Sequence, residues 1–248
     1  MIAKYRHIEK VIIDVVDIDE NALNTLKILL QKLNVPKNIV INFIHADFLT
    51  HSFTEKYDIV VGNPPFKKVI NDKKTLAIYK KNICNIDTNN LFAFFIEKAL
   101  QLGKTVAFIV PKSLIGTPEF NKTRDLLEKI EIQKITDYGE SAFKGVKIET
   151  ISFIANSSKK PHKNKIEIES YIKSTIIFHE QSYIFSKDFP YWLIYRNDFF
   201  DTISNKMNYN IFKAYRDRQI TKKITTSNGA YRVLKSRNIG SNKIVDID

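Results

Sequence analysis

One stretch decides the fold of this chain: Tyr57-Asp58-Ile59-Val60-Val61-Gly62-Asn63-Pro64-Pro65-Phe66. Its β-branched run predicts a buried strand, and the two prolines end that strand because proline has no backbone N–H to donate to a sheet ladder. The rigid turn that follows projects an amide side chain, a backbone carbonyl and an aromatic ring. In open α/β sheets, ligands bind at this carboxyl end of the strands.

The groups on the turn suit a planar ring that bears an amino function. The amide oxygen of Asn63 and the carbonyl oxygen of Pro64 can accept hydrogen bonds from an exocyclic NH2, and Phe66 can stack on the ring. The alternative is a surface Pro-Pro turn without chemistry, because so short a motif also occurs by chance. The surrounding sequence has to distinguish the two.

Strands and helices alternate on both sides of the turn. Apolar runs predict strands, and amphipathic segments predict helices. The alternation predicts an α/β fold with a doubly wound, mainly parallel sheet. The polar residues 67–88 are expected to form a mobile loop, and residues 156–161 a hairpin connection. The predicted strands are 11–16, 39–44, 58–62, 105–110, 132–137, 148–155 and 166–178, and the predicted helices are 20–33, 90–102 and 118–130.

Composition limits the class of protein. The 248 residues, 44% of them apolar, can bury one sizeable core with the start of a second unit. Lys and Arg number 39 against 27 Asp and Glu, so the net charge is +12. Such an excess favours a polyanion partner, because cationic side chains that neutralise phosphates release counterions. A Lys-rich proteome would produce the same excess, so charge alone does not decide.

A single cysteine, Cys84, excludes an internal disulfide framework and a Cys-based zinc site. The five histidines show no metal-ligand spacing, so no metal is expected. The start of the chain lacks the apolar core of a signal peptide, and no apolar run reaches membrane-spanning length. These features favour a cytoplasmic protein without a membrane partner.

An aspartate follows each of the first two predicted strands, 11–16 and 39–44. Asp17 ends the first predicted strand, where a carboxylate can accept from both hydroxyls of a ribose. Asp47 follows the second and can accept from the amino group of an adenine, with Ile18 and Phe48 against the two faces of that adenine. An aspartate after a strand is more often a helix N-cap, as Asp19 is predicted to be. Three such features at three successive strand ends are hard to attribute to chance.

Asn-Pro-Pro-Phe after an apolar strand resembles the catalytic motif of the N6-adenine DNA methyltransferases of bacterial restriction–modification systems, in the gamma-like motif order. The resemblance covers residues 10–155 and continues loosely beyond. It implies a Rossmann-like S-adenosylmethionine-dependent methyltransferase domain over residues 1–190. A linker and a mixed, partial DNA-recognition region would follow over residues 191–248. The activity implied is site-specific methyl transfer from S-adenosylmethionine to N6 of a flipped adenine in double-stranded DNA.

The resemblance also implies roles for single residues. Asn63, Pro64, Pro65 and Phe66 match the catalytic motif. Phe143 falls near the family aromatic that packs on the other face of the target base, although a core phenylalanine is an equal reading. The S-adenosylmethionine contacts correspond to Asp17, Ile18, Asp47, Phe48 and Pro65. The basic residues expected to contact DNA are Lys222, Lys223, Arg232, Lys235 and Arg237.

The sequence departs from the family at both ends. No glycine-rich loop precedes residues 11–16, and the strand that should carry it would lie between the strands 11–16 and 58–62. The chain also stops near the opening of a recognition domain. Three explanations follow, in order of preference: a fragment of a larger product, a subunit whose partner chain supplies the loop and the recognition domain, or an inactive remnant.

Other classes of protein remain open. Methyltransferases that act on rRNA adenine or on a protein glutamine use the same motif, because both targets present an NH2 group. The length beyond residue 155 and the basic residues 220–237 favour DNA over glutamine and say less against RNA. A DNA-binding module without catalysis is the non-enzymatic alternative.

Overall fold

The computed structural model describes residues 9–81, 83, 85–143, 145, 147–208, 211, 234, 239–241 and 243–244. The strands are β1 Val11–Asp17, β2 Ile39–His45, β3 Tyr57–Gly62, β4 Gly103–Pro111, β5 Glu131–Gly139, β6 Thr150–Asn156, β7 Lys165–Ser170, β8 Thr175–Glu180, β9 Ile239–Gly240 and β10 Lys243–Ile244. The α-helices are α1 Glu20–Gln31, α2 Lys73–Lys80, α3 Leu91–Leu102, α4 Asn121–Glu128, α5 Gln181–Ile184 and α6 Asp198–Ser204.

The chain divides into two compact units, Met1–Asn197 and Asp198–Asp248. In the second unit, the structure describes α6 and an antiparallel pairing of β9 with β10. The assignment of residues 1–190 to methyl transfer and of residues 191–248 to DNA recognition stays a prediction.

The described part of the first unit begins with a β-α-β segment. The carboxylate of Asp19 accepts hydrogen bonds from the backbone N–H groups of Asn21 and Ala22, which confirms Asp19 as the N-cap of α1. Strands β1 and β2 pair in parallel over seven residues. Both strands therefore present their carboxyl ends at the same edge.

A six-stranded sheet follows in the order β3-β4-β6-β5-β7-β8. The α/β prediction is confirmed, but this sheet is mixed rather than mainly parallel. Strand β6 lies antiparallel between β4 and β5, and β8 is antiparallel to β7. Strand direction could not be read from the sequence, because buried apolar runs look alike in either direction.

The predicted hairpin at residues 156–161 is wrong. Both edges of β6 are occupied, by β4 and β5, so β7 cannot pair with β6. The chain crosses over instead, and β7 adds in parallel to the far edge of β5.

The predicted loop over residues 67–88 is also wrong in part, because it contains α2. The carboxylate of Asp72 accepts from the backbone N–H of Thr75 and caps this helix. The polar, lysine-rich composition of residues 67–88 made the capping signal at Asp72 hard to recognise in the sequence.

The core lies between α3 and the six-stranded sheet. Phe92, Ala93 and Ile96 of α3 are buried, and they join one cluster with inward side chains from four neighbouring strands. Burying each large apolar side chain contributes about 1.5–3 kcal/mol, so this layer holds β4 in place, and the partly buried Val60 of β3 packs against it. The strand members of the cluster are Val106, Phe108, Val110, Ile132, Ile135, Ile151, Phe153, Ala155, Ile166 and Ile168.

A buried ion pair fixes the carboxyl ends of β4 and β5. The side chain of Asp137 is 0% exposed and lies 2.9 Å from the ammonium of Lys112. The hydroxyl of Tyr195 donates to the same carboxylate at 2.5 Å, and the N–H of Gly139 donates at 3.0 Å. Burial by itself would raise the pKa of Asp137, but the hydrogen bonds outweigh it and the pKa lies below its ordinary value.

We expect Asp137→Asn to lower the free energy of unfolding at pH 7 by about 1–3 kcal/mol, because weaker hydrogen bonds replace those to the buried carboxylate and Lys112 keeps only the longer 3.6 Å contact with Glu149. Because the folded pKa of Asp137 is depressed, its contribution is present above the unfolded value of 3.8 and is lost as pH falls through the folded pKa. Urea unfolding from pH 7 down to pH 3 measures both effects. The matched control is Asp58→Asn, which breaks the exposed pair with Lys104 and should cost less than about 1 kcal/mol. Equal losses in the two variants would contradict the prediction.

Candidate functional site

The turn predicted to be catalytic lies at the carboxyl end of β3. Gly62 pairs with Phe108 of β4, and a Cβ atom at Gly62 would lie 3.1 Å from the Phe108 ring. Glycine therefore lets the chain pass close to the core here without displacing the ring of Phe108. Beyond it, Pro64 is buried, whereas Asn63 and Pro65 are exposed. The turn is anchored by one proline and presents the amide of Asn63 outward, where the described residues offer it no hydrogen-bond partner.

Phe66 and Phe143 are brought together, although they lie far apart in the sequence. Their ring centroids are 6.1 Å apart, and their planes make an angle of 73°. This is the edge-to-face arrangement that aromatic pairs favour. The rings would have to separate for a flat base to enter between them.

The aspartate-bearing ends of β1 and β2 lie side by side. The N–H of Ala46 donates to the carbonyl of Asp17 at 3.1 Å, and a ring nitrogen of His45 contacts the carbonyl of Ile18 at 3.0 Å. One carboxylate oxygen of Asp17 accepts from the N–H of Asp19 at 2.8 Å. The side chain of Ile18 is 68% exposed, so a ligand at this edge would meet an apolar surface beside a carboxylate.

Asp47 and Phe48 are more engaged than the sequence suggested. One oxygen of Asp47 accepts from the N–H of Leu49 at 2.9 Å, and the other accepts from the hydroxyl of Tyr79 at 2.6 Å. The ring of Phe48 stacks on Phe95 with centroids 5.0 Å apart. A carboxylate has about four acceptor positions, so Asp47 keeps capacity for a ligand. The ring of Phe48 also packs against Phe53, with centroids 5.5 Å apart, and lies 5.6 Å from the ammonium of Lys98.

The remaining predicted residues cannot be placed. The five basic residues expected to contact DNA lie outside the described residues, as does Cys84. Within the described part of the chain, no group of three or more His, Cys, Asp or Glu side chains could hold a metal ion. In the same part, no helix is both long enough and apolar enough to cross a membrane.

Comparison with known proteins identifies the family. The model of the Eco57I restriction-modification methylase family matches residues 5–143, which is more than half of the chain. The chain belongs to the Eco57I restriction-modification methylase family. The matched region contains the Asn-Pro-Pro-Phe turn, both aspartates and Phe143.

Two relatives show how much of a whole protein the chain represents. The type II methyltransferase M.TthHB8I of Thermus thermophilus is 30% identical over 118 residues, covering 43% of this chain and 27% of that protein. The type II methyltransferase M.PstI of Providencia stuartii is 27% identical over 139 residues, covering 52% and 27%. The chain thus spans less than a third of the length of these relatives.

Two solved structures share the fold. A putative class I S-adenosylmethionine-dependent methyltransferase from Listeria monocytogenes superposes with a TM-score of 0.50 at 18% identity, covering 63% of this chain and 49% of that one. The modification subunit of a putative type I restriction enzyme from Vibrio vulnificus gives 0.53 at 13% identity, covering 69% and 40%. The fold is therefore that of S-adenosylmethionine-dependent methyltransferases.

Sequence reasoning missed the residues that connect the segment after β2 to helices α2 and α3. The hydroxyl of Tyr79 of α2 donates to Asp47. Burial is the larger cause, and this hydrogen bond the smaller cause, of the raised pKa of the Tyr79 hydroxyl. Lys98 of α3 donates to the carbonyls of Leu49 at 2.9 Å and His51 at 2.7 Å. Burial lowers the pKa of Lys98, although the charge of Asp47 acts in the opposite direction. These contacts join segments distant in the sequence, which a local pattern cannot reveal.

Glu119 was also missed, and it holds the segment that follows the turn. Lys68 forms an antiparallel bridge with Asn90, and both side chains donate to the Glu119 carboxylate at 2.8 Å. Thr88 donates to it at 2.8 Å as well. Burial by itself would raise the pKa of Glu119, but the hydrogen bonds outweigh it and the pKa lies below its ordinary value.

We expect Glu119→Gln to lower the free energy of unfolding at pH 7 by about 1–3 kcal/mol, because hydrogen bonds to an ionised carboxylate are replaced by weaker ones. The folded pKa of Glu119 is depressed, so its contribution is present above the unfolded value of 4.5 and disappears as pH falls below it. The difference from the parent chain should therefore shrink between pH 5 and pH 3 in urea titrations. The control Glu140→Gln removes an exposed carboxylate. A difference for Glu119→Gln that is independent of pH would show that charge does not act there.

Proposed function

We propose that this chain is the catalytic part of a site-specific DNA adenine-N6 methyltransferase of a restriction–modification system. The observation that carries the proposal is the Asn63–Phe66 turn, with its exposed amide and with Phe66 set against Phe143. Family membership and the fold support it. The substrate is double-stranded DNA, and the methyl donor is S-adenosylmethionine.

The residues at the edge of β1 and β2 fit the donor. A carboxylate on Asp17, an exposed apolar side chain on Ile18 and a second carboxylate on Asp47 match the ribose hydroxyls, the ring face and the amino group of an adenosine. Phe48 would contact the other ring face, and Pro65 would be a further contact of the cofactor. S-adenosylmethionine, when bound, supplies an electrophilic methyl group.

The target adenine has to leave the duplex, because its amino group is inaccessible within the base stack. Separation of Phe66 from Phe143 would admit the base between the two rings. Stacking is worth about 1–3 kcal/mol per base, and it fixes the plane of the adenine so that its amino group faces the turn.

The exocyclic nitrogen is a weak nucleophile because its lone pair is delocalised into the ring. The amide oxygen of Asn63 and the carbonyl oxygen of Pro64 would each accept one amino hydrogen and favour a pyramidal nitrogen with a localised lone pair. As the N–C bond forms and the S–C bond of the donor breaks, positive charge would develop on this nitrogen, and both acceptors would stabilise it until one amino proton is lost to solvent. Acceptors that bind the transition state more strongly than the ground state raise the rate of the chemical step.

The non-enzymatic alternative is a DNA-binding module without catalysis. It predicts that the chain binds DNA but transfers no isotopically labelled methyl group from S-adenosylmethionine. This should hold even after a second polypeptide carrying the glycine-rich loop and a recognition domain is supplied. An rRNA adenine or protein glutamine methyltransferase would transfer label to those substrates instead.

We expect Asn63→Ala to reduce methyl transfer at least about 100-fold, because it removes one preorganised acceptor, and to leave DNA affinity within about threefold. Transfer of tritiated methyl to duplex DNA, with N6-methyladenine identified by mass spectrometry, measures the first. Fluorescence anisotropy with a labelled duplex measures the second. Where transfer requires a second polypeptide, parent and variants are assayed with it.

The matched control is Asn24→Ala, which removes an exposed amide on α1. Loss of DNA affinity in Asn63→Ala, or transfer above a tenth of the parent rate, would contradict the catalytic role of Asn63. Label in RNA or protein but not in DNA would replace the proposed substrate.

We expect Asp17→Ala to weaken S-adenosylmethionine binding about tenfold or more, since hydrogen bonds to a charged group contribute about 1.5–3 kcal/mol. Isothermal titration calorimetry measures the dissociation constant without requiring turnover. The control is Asp58→Ala, an exposed aspartate on β3. An unchanged dissociation constant in Asp17→Ala would remove Asp17 from the cofactor site.

A further inference from the structure

One hydroxyl group connects helix α2 to the carboxylate of Asp47. The hydroxyl of Tyr79 donates to Oδ2 of Asp47 at 2.6 Å, although the two residues are 32 positions apart in the sequence. The other oxygen, Oδ1, accepts from the backbone N–H of Leu49 at 2.9 Å. The bond from Leu49 holds one oxygen only, so by itself it leaves the plane of the carboxylate free to turn. The bond from Tyr79 fixes that plane.

Tyr79 is itself held in place by its surroundings. Its ring packs against the ring of Phe94 in α3, with centroids 6.2 Å apart and planes at 56°, and Phe94 is fully buried. The carboxylate of Asp72 caps the first turn of α2, and at the other end of the helix the ammonium of Lys80 donates to the side chain of Asn89 at 2.9 Å. The hydroxyl of Tyr79 is therefore a fixed donor.

The segment that follows Asp47 is anchored independently of Tyr79. Lys98 of α3 donates to the carbonyl oxygens of Leu49 and His51. Because these bonds hold the backbone of the segment, loss of the Tyr79 hydroxyl should free the carboxylate of Asp47 and leave the segment in place. The contact of Tyr79 thus acts on one side chain.

The direction of the hydrogen bond decides what the pair can bind. A phenol has one proton, and Tyr79 gives it to Asp47, so the lone pairs that remain on both groups can only accept. Burial, and to a smaller extent the bond to Asp47, raises the pKa of Tyr79, so the hydroxyl keeps its proton at neutral pH. Such a pair suits an amino group, which donates, and offers nothing to a carbonyl oxygen or a C–H group.

We propose that Tyr79 is a positioning residue for the methyl donor: by fixing Asp47 as an acceptor, it makes the site select the 6-amino group of the adenine of S-adenosylmethionine. This inference rests on the proposed function, which sets Asp47 against that amino group. Tyr79 acts through Asp47. Helix α2 lies in the segment that follows the Asn63–Phe66 turn, so one segment helps to set both the acceptor nitrogen and the donor.

The test compares two ligands on the parent chain and on Tyr79→Phe. One ligand is S-adenosylmethionine, and the other is its analogue with hydrogen in place of the 6-amino group. Isothermal titration calorimetry should show that the parent binds S-adenosylmethionine at least about tenfold more tightly than the analogue, since the hydrogen bond to Asp47 is charge-assisted. Tyr79→Phe should weaken binding of S-adenosylmethionine about fivefold or more and binding of the analogue less than about twofold, because only the first ligand uses the fixed carboxylate.

The matched control is Tyr57→Phe. It removes a hydroxyl that donates to the carboxylate of Asp14 at the same distance, 2.6 Å, but does not touch Asp47. The ratio of the two dissociation constants should stay at the parent value. Tyr79→Phe keeps the ring that packs against Phe94, so α2 should remain folded, and hydrogen exchange of α2 with mass spectrometry checks this.

Four outcomes would overturn the proposal. Equal weakening of the two ligands in Tyr79→Phe would show that Tyr79 only supports the helix, and tighter binding of S-adenosylmethionine would show that the hydroxyl competes with the ligand. Equal binding of the two ligands by the parent would remove the selection for an amino group but leave S-adenosylmethionine as the donor. Binding of neither ligand, with any second polypeptide that transfer requires supplied to parent and variants alike, would count against the proposed function itself.

Discussion

The parallel pairing of β3 with β4 is the constraint on which the candidate site depends. Among the described residues, β3 has no other strand neighbour, so this ladder sets where the Asn63–Phe66 turn leaves the sheet. Gly62 makes the close approach possible, because any side chain there would meet the ring of Phe108. The buried Pro64 then ends the ladder. Glu119 holds the segment after the turn through Lys68 and Asn90, so the amide of Asn63 lies between two fixed points.

Among the described residues, side-chain contacts connect the edge that carries Asp17 and Asp47 to β3, α2 and α3. They include the Tyr57–Asp14 and Tyr79–Asp47 hydrogen bonds, the two carbonyl contacts of Lys98 and the stacking of Phe48 on Phe95. A hydrogen bond contributes about 0.5–1.5 kcal/mol in net terms, which is little for fixing two strands relative to a sheet. Methyl transfer needs the donor and the acceptor nitrogen aligned within a narrow range.

How much could be predicted from the sequence depended on whether the signal was local. The strand ends at Asp17 and Gly62 and the cap at Asp19 were predictable, because a few neighbouring residues determine them. The direction of β6 and the contacts of Tyr79 and Glu119 were not, since each depends on partners from 29 to 51 residues away or on strand order. The helix α2 was missed for another reason, because the polar, lysine-rich composition around it concealed its local cap at Asp72. Phe143 is the intermediate case. The resemblance suggested its role, and the structure sets its ring against Phe66, although neither shows a base between them.

The closed Phe66–Phe143 pair bears on how such a site would select its base. Separating an aromatic pair of this kind costs about 0.5–1.5 kcal/mol, and removing a base from the duplex stack costs a few kcal/mol more. Stacking the base on one ring returns about 1–3 kcal/mol, so stacking on both rings roughly balances the two costs. Stacking is nearly the same for every base, because each has a π face. The balance would therefore be decided by the hydrogen bonds at Asn63 and Pro64, which require an amino group. A base that presents a carbonyl oxygen there would place it against the acceptor oxygens of Asn63 and Pro64. The polar turn, and not the aromatic pair, would therefore discriminate adenine from thymine and guanine.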